Sequence, residues 1–142
     1  HTGPRRGEVF VSSNFSKQIA EIEKGAKPVI HVGNLDAMRD FTDVRDMAKA
    51  YVLAVEKCKP GEAYNICSGK SIKIRELLDI LLSMTDKHID IKQDPDRMRP
   101  SDVEILQGDC SKFKKQTGWK QTISFEKTME DLLNYWRERV KV

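Results

Sequence analysis

The feature that most constrains this chain is an alternation of amphipathic helical stretches with short runs rich in β-branched residues. The stretch "SSNFSKQIAEIEKG" sets Phe15, Ile19 and Ile22 on one helical face, and Gly25 is a natural stop. "PVIHV" predicts a short strand. From Asp43 to Lys57 helical spacing returns and predicts a buried stripe of Val44, Met47, Ala48, Tyr51 and Val55. "AYNIC" reads as the next strand, with "GKS" as the turn after it. A third helix carries Leu77, Leu78, Leu81 and Leu82 and ends near Met84. "HIDIKQDP" then alternates Ile89 and Ile91 with polar residues and stops at Pro95.

"DPDRMRPSDVE" has two prolines and no periodicity, so it reads as a loop. "CSKFKKQTGW" predicts a short helix ended by Gly118. In "SFEKTMEDLLNYWRERV" Ser124 is the N-cap, Glu126 sits in the electropositive first turn, and Phe125, Met129, Leu132, Leu133 and Trp136 form a core stripe. The strands are few and separated, whereas a doubly wound sheet would be more regular. The pattern is that of the α+β half of a larger α/β protein. "HTGPRRG" reads like the middle of a loop, which leads us to expect a piece of a longer chain.

A formal charge of +3 arises from 25 basic and 22 acidic side chains that are interspersed along the sequence. Such a balance does not require a nucleic-acid groove, and no strand interleaves aromatic and basic residues; a patch for a small anion is enough. The three cysteines, Cys58, Cys67 and Cys110, lack CxxC spacing and suit a reducing compartment as buried or idle thiols. No apolar run approaches the ~20 residues that span a bilayer, and no secretory signal is recognisable, so the expectation is a cytoplasmic protein.

No nucleophile stands beside a base, and His1, His31 and His88 are too scattered to suggest a triad or a metal cluster. Neither GxGxxG nor GxxxxGK[ST] occurs. What remains is a set of loop arginines: Arg5, Arg6, Arg39, Arg97 and Arg99. Guanidinium groups suit bidentate capture of phosphate oxygens. Arg39 and Arg99 are the candidates, because each follows an apolar element that fixes where its stem begins. The alternative is local pairing, of Arg39 with Asp40 or Asp36 and of Arg99 with Asp96 or Asp102. Asp102 either accepts from the vicinal hydroxyls of a ribose or serves as a turn cap.

"RDFTDVRDMAKAY", "EAYNICSG", "RPSDVEILQGD" and "TGWKQTISFEKTMEDLLNYWR", in that order, resemble the C-terminal portion of the extended short-chain dehydrogenase/reductases that act on nucleotide sugars. Within that superfamily the chain is similar to GDP-mannose 4,6-dehydratase and its relative GDP-4-keto-6-deoxy-mannose reductase. "FTDVRD", "YNICSGKS" and "DPDRMRPSD" favour the reductase. The dehydratase would carry tryptophan at Phe41 and glutamate at Asp102.

The resemblance implies a small α+β substrate-binding portion spanning 1–142, with the NAD(P)-binding Rossmann half absent. It implies that His1 and Arg6 lie along the nicotinamide cofactor, which the missing half mainly binds. Val11 would line the guanine or ribose pocket, Arg39 and Arg99 would bind the GDP diphosphate, and Asp102 the ribose hydroxyls. A lysine that the dehydratase places three residues beyond Val11 is Asn14 here.

The implied reaction of the intact protein is NAD(P)H-dependent reduction of a GDP-sugar C4 ketone. The alternatives are a 4,6-dehydratase and a nucleotide-binding module without chemistry. None of Tyr51, Tyr64 and Tyr135 has a lysine four positions on, so no catalytic residue or metal ligand is expected in this chain. Expected partners are a GDP-sugar, no nucleic acid and no membrane. The intact protein is expected to be a homo-oligomer and the isolated piece to self-associate.

Overall fold

The computed structural model describes residues 1–98 and 103–141. Its elements run α1 (Val11–Glu23), β1 (Val29–Val32), β2 (Met38–Asp40), α2 (Val44–Lys57), β3 (Ser71–Lys73), α3 (Ile74–Leu82), β4 (Asp90–Gln93), a 3-10 turn (Pro95–Arg97), β5 (Ile105–Leu106), α4 (Ser111–Thr117) and α5 (Phe125–Arg139). β1 and β4 pair in parallel, Ile30 opposite Ile91. β2 lies between β3, antiparallel, and β5, parallel.

The main core is where α1, α3 and α5 converge. Ile19, Leu77, Leu78, Leu81, Met129, Leu132 and Leu133 are fully buried there, over Ile30 and Val32 of β1. Each such side chain contributes on the order of 1.5–3 kcal/mol of burial. The expected local signals hold. Gly25 and Gly118 take left-handed φ of 106° and 73° after α1 and α4, and the Ser124 side chain accepts from the Lys127 N–H.

A second, smaller core joins α2 to α4, with Met47, Ala50, Phe113, Cys110 and Trp119 buried. The predicted stripe on α2 is corrected here: of its five members only Met47 is buried, at 2% exposure. Val44, Ala48, Tyr51 and Val55 face outward, Val55 at 88%. Two apolar stripes share this helix, and the one that turns inward is the one that carries Asp46. That carboxylate accepts from the N–H of Thr122 and Ile123 and the Thr122 hydroxyl, at 2.6–2.9 Å.

The strand reading also changes. "AYNIC" pairs with no strand among the described residues, although Tyr64, Ile66 and Cys67 pack on the second core. β2 and β3 were unforeseen, at three residues each too short for an alternation to show. Among the described residues no helix is long and apolar enough to cross a membrane.

Candidate functional site

The first ten residues are held against α1 and α2 by small polar side chains. Thr2, buried, forms a parallel bridge to the start of α2: its N–H donates to the Thr42 carbonyl and its own carbonyl accepts from Val44. Its hydroxyl meets that of buried Ser12 at 2.6 Å, and Ser13 donates to the Arg6 carbonyl at 2.8 Å. The α2 N-cap Asp43 secures the same corner, accepting from the Arg45 N–H and guanidinium and from Thr128. Burial alone would raise its pKa, but the hydrogen bonds from Arg45 and Thr128 win and hold its carboxyl below the usual range. The serines that look like ordinary α1 surface in sequence are thus the clamp that fixes His1 and Arg6.

With that corner fixed, the Arg6 guanidinium lies over the Phe10 ring, 3.2 Å from its centroid. The His1 ring meets Tyr51 edge-on at 6.4 Å. Between this corner and β2 opens a cleft of about 720 Å³ lined by His1, Arg6, Val11 and Arg39, among others. Four of the six residues singled out from sequence therefore share one hollow. The other two, Arg99 and Asp102, lie outside the described residues.

Arg39 projects from the middle strand of the three-stranded sheet, and its Nη1 donates to the carbonyls of Met38 and Val103 at 2.8 and 2.6 Å. Asp40, one of the two local partners considered for it, is committed elsewhere. Its oxygens accept from the N–H groups of Ser68, Gly69 and Gly108 at 2.9–3.2 Å. The carboxylate ties two loops to β2 and so fixes the cleft wall.

Sequence reasoning passed over two further residues of this wall. Phe10 supplies the platform under Arg6; the two stand in the turn before α1, where sequence spacing does not tell which side chains meet. Arg97 lines the cleft from the 3-10 turn and donates to Asn14 Oδ1 at 2.8 Å. "DP" before it was the available sign: Asp94 caps the turn through the Asp96 N–H, and Pro95 opens it. A cleft presenting three guanidinium groups beside an aromatic ring and aliphatic surface suits a ligand with an anionic middle and an apolar or stacking end. Among the described residues, no group of three or more His, Cys, Asp and Glu side chains gathers as metal ligands would.

The fold is that of the short-chain dehydrogenase/reductase type shared by nucleotide-sugar epimerases and dehydratases. The structure of RMD from Pseudomonas aeruginosa complexed with NADPH superposes with a TM-score of 0.92 at 33% identity, over 99% of this chain and 46% of that one. UDP-glucose 4-epimerase from Thermotoga maritima with UDP-glucose also superposes, with a TM-score of 0.78 at 28% identity, over 98% of this chain and 44% of that one.

Residues 1–132 match the family model described as GDP-mannose 4,6 dehydratase, and the chain belongs to that family. Among curated relatives it is 34% identical to the GDP-6-deoxy-D-mannose reductase of Pseudomonas aeruginosa, over 99% of this chain and 47% of the relative. It is 33% identical to GDP-mannose 4,6 dehydratase 1 of Arabidopsis thaliana, over 99% of this chain and 40% of the relative. The chain thus spans somewhat under half the length of the curated relatives it matches.

Proposed function

We propose that this chain is the C-terminal, nucleotide-sugar-binding portion of a GDP-4-keto-6-deoxy-D-mannose reductase. The observation that carries this reading is the gathering of His1, Arg6, Val11 and Arg39, from three separate segments, around one cleft of about 720 Å³. In this reading Val11 borders the guanine or ribose, Arg39 and Arg99 take the diphosphate, and Asp102 takes the ribose hydroxyls. His1 and Arg6 border the nicotinamide cofactor. A cation held flat on Phe10 and an imidazole at the same rim fit the edge of an anionic dinucleotide.

The bound NAD(P)H supplies the hydride, and it is held mainly by a Rossmann portion outside this chain. The residues here bind and orient: they hold the nucleotide so that the sugar is presented toward the cofactor, and binding energy from that remote handle is used for positioning. The piece alone has no turnover, because the tyrosine and lysine that would move the proton are not in it.

The outer face of α2 supports the missing-half reading. A helix apolar on both faces is normally enclosed, yet Tyr51, Val52 and Val55 are 55–88% exposed here. We therefore expect the isolated chain to self-associate. Light scattering over a concentration series checks this, and a monomer throughout would count against a covered face. In the full-length protein, a homo-oligomer, the Rossmann portion covers this surface.

The second reading, a 4,6-dehydratase, is favoured by the family description and by the Arabidopsis relative. Phe41 and Asp102 stand against it, being tryptophan and glutamate in the dehydratase pattern. The deciding experiment supplies full-length protein with GDP-4-keto-6-deoxy-D-mannose and reduced nicotinamide cofactor and, in a separate assay, with GDP-mannose. Cofactor oxidation coupled to ketone reduction is expected. Conversion of GDP-mannose without net cofactor consumption would select the dehydratase. Nucleotide binding with neither reaction would leave a binding module.

A further inference from the structure

We propose that Arg97 is a further cation for the ligand's diphosphate, held in place by Asn14 and by the absence of a side chain at Gly33; this rests on the GDP-sugar reading above.

The main chain around Arg97 is fixed from both ends. Asp94 donates its N–H to the Val32 carbonyl at the end of β1, and the Arg97 N–H closes the turn onto the Asp94 carbonyl at 3.0 Å. Gly33 makes this approach possible. A Cβ on it would lie 2.6 Å from the Arg97 carbonyl oxygen, closer than real Cβ atoms come to backbone, and a tight 3.3 Å from the Arg97 Cβ. The chain gives up a side chain at the end of a strand so that the Arg97 turn can sit directly on it.

The guanidinium is held as well. Its Nε donates to Asp94 at 3.3 Å and its Nη1 to Asn14 Oδ1 at 2.8 Å. Asn14 is itself braced, since its Oδ1 also accepts from Gln18 at 2.7 Å and its Nδ2 donates to the Glu8 carbonyl at 3.3 Å. Among the described residues no acceptor meets Nη2, and the side chain stays 39% exposed on the cleft.

An arginine serving only the surface would need neither the glycine nor the asparagine. Asn14 stands one helical turn beyond Val11 on the same wall, where a cation on α1 would reach an anion in the cleft. Here α1 carries a neutral acceptor that draws a cation in from a different loop. A pre-ordered guanidinium loses little freedom on meeting phosphate oxygens, and a charge-assisted hydrogen bond of this kind is typically worth roughly tenfold or more in affinity.

The test is calorimetric titration of the full-length protein with GDP and with guanosine. Arg97→Ala is expected to weaken GDP at least about tenfold and leave guanosine unchanged, with Arg97→Lys between it and the parent. Asn14→Ala should weaken GDP less, and the double variant should be no worse than Arg97→Ala alone, because Asn14 acts through Arg97. Unchanged GDP affinity in Arg97→Ala, or equal losses for GDP and guanosine, would overturn the assignment while leaving the parent's GDP binding intact. A folded parent that binds no GDP would instead overturn the GDP-sugar reading, and Arg97's role with it.

Discussion

Replacing Asp46 with alanine is expected to lower stability by roughly 2–4 kcal/mol, the cost of leaving two main-chain N–H donors without their charged acceptor. The Asp46 side chain is fully buried in the first turn of α2. It accepts from the main-chain N–H of Thr122 and Ile123 and from the Thr122 hydroxyl, while its carbonyl accepts from the Trp119 indole at 3.1 Å. Removing the carboxylate strands the Thr122 and Ile123 donors between α2 and the loop that leads into α5, while the Trp119 indole keeps its main-chain acceptor. The milder Asp46→Asn change, which replaces one oxygen by a donor facing a donor, should cost part of that, on the order of 1–3 kcal/mol. Urea denaturation of the full-length protein and its variants checks both, and a loss within experimental error for Asp46→Ala would show the network to be dispensable.

The same carboxylate gives the fold a pH dependence. Burial alone would raise the Asp46 pKa, but hydrogen bonds from Thr122 and Ile123 outweigh it and leave the group below its usual value; Asp43 behaves alike through Arg45 and Thr128. A depressed carboxylate pKa means stability that is complete above the unfolded value of about 3.9 and is lost as pH falls through the folded one. Acid unfolding is therefore expected to begin below about pH 4 and to be shallower in Asp46→Asn.

Asp40 and Asp46 explain much of what the sequence does and does not disclose. In "NLDAMRDFTDVRD" each arginine precedes an aspartate, which invites a reading of local ion pairs. Neighbours along a strand point to opposite faces, and neighbours along a helix do not face each other. Asp40 on β2 turns to the N–H groups of Ser68, Gly69 and Gly108, and Asp46 on α2 to those of Thr122 and Ile123. Arg45 pairs with Asp43 and with Asp131 on α5. Apart from Asp43, these partners are far away in sequence, so no local pattern reveals them.

Caps were legible because they are local. Gly25, Gly118 and Ser124 act within a turn of where they stand. The buried face of α2 was not, because Val44, Ala48, Tyr51 and Val55 form as good a stripe as Met47, Ala50 and Ala54, and only tertiary contacts choose between them. The grouping of His1, Arg6, Val11 and Arg39 came from the family likeness, not from periodicity. The clamp of Thr2, Ser12 and Ser13 that creates it gives no signal in a single sequence. In sequence Arg97 is one more loop arginine; what distinguishes it is contact with Gly33 and Asn14, both more than sixty residues away.

Arg39→Ala in the full-length protein is expected to raise the KM for the GDP-sugar roughly ten- to hundredfold, the value of one or two charge-assisted hydrogen bonds to phosphate. Cofactor binding should be spared. Arg39 is oriented before any ligand arrives. It stands on the central strand β2, and its Nη1 is tied to the Met38 and Val103 carbonyls, which holds the plane of the guanidinium at the cleft wall. The substitution removes that plane but not the wall, since Asp40 keeps its three main-chain donors. Far-ultraviolet circular dichroism should therefore be unchanged. Lysine at this position keeps the charge and loses the fork, so its KM should fall between those of the parent and the alanine variant. Binding energy that serves ground state and transition state alike is lost in KM alone, so a fall in kcat beside the rise in KM is the part of the Arg39 contact used to position the sugar. GDP affinity equal to the parent's by calorimetry would remove Arg39 from the diphosphate site.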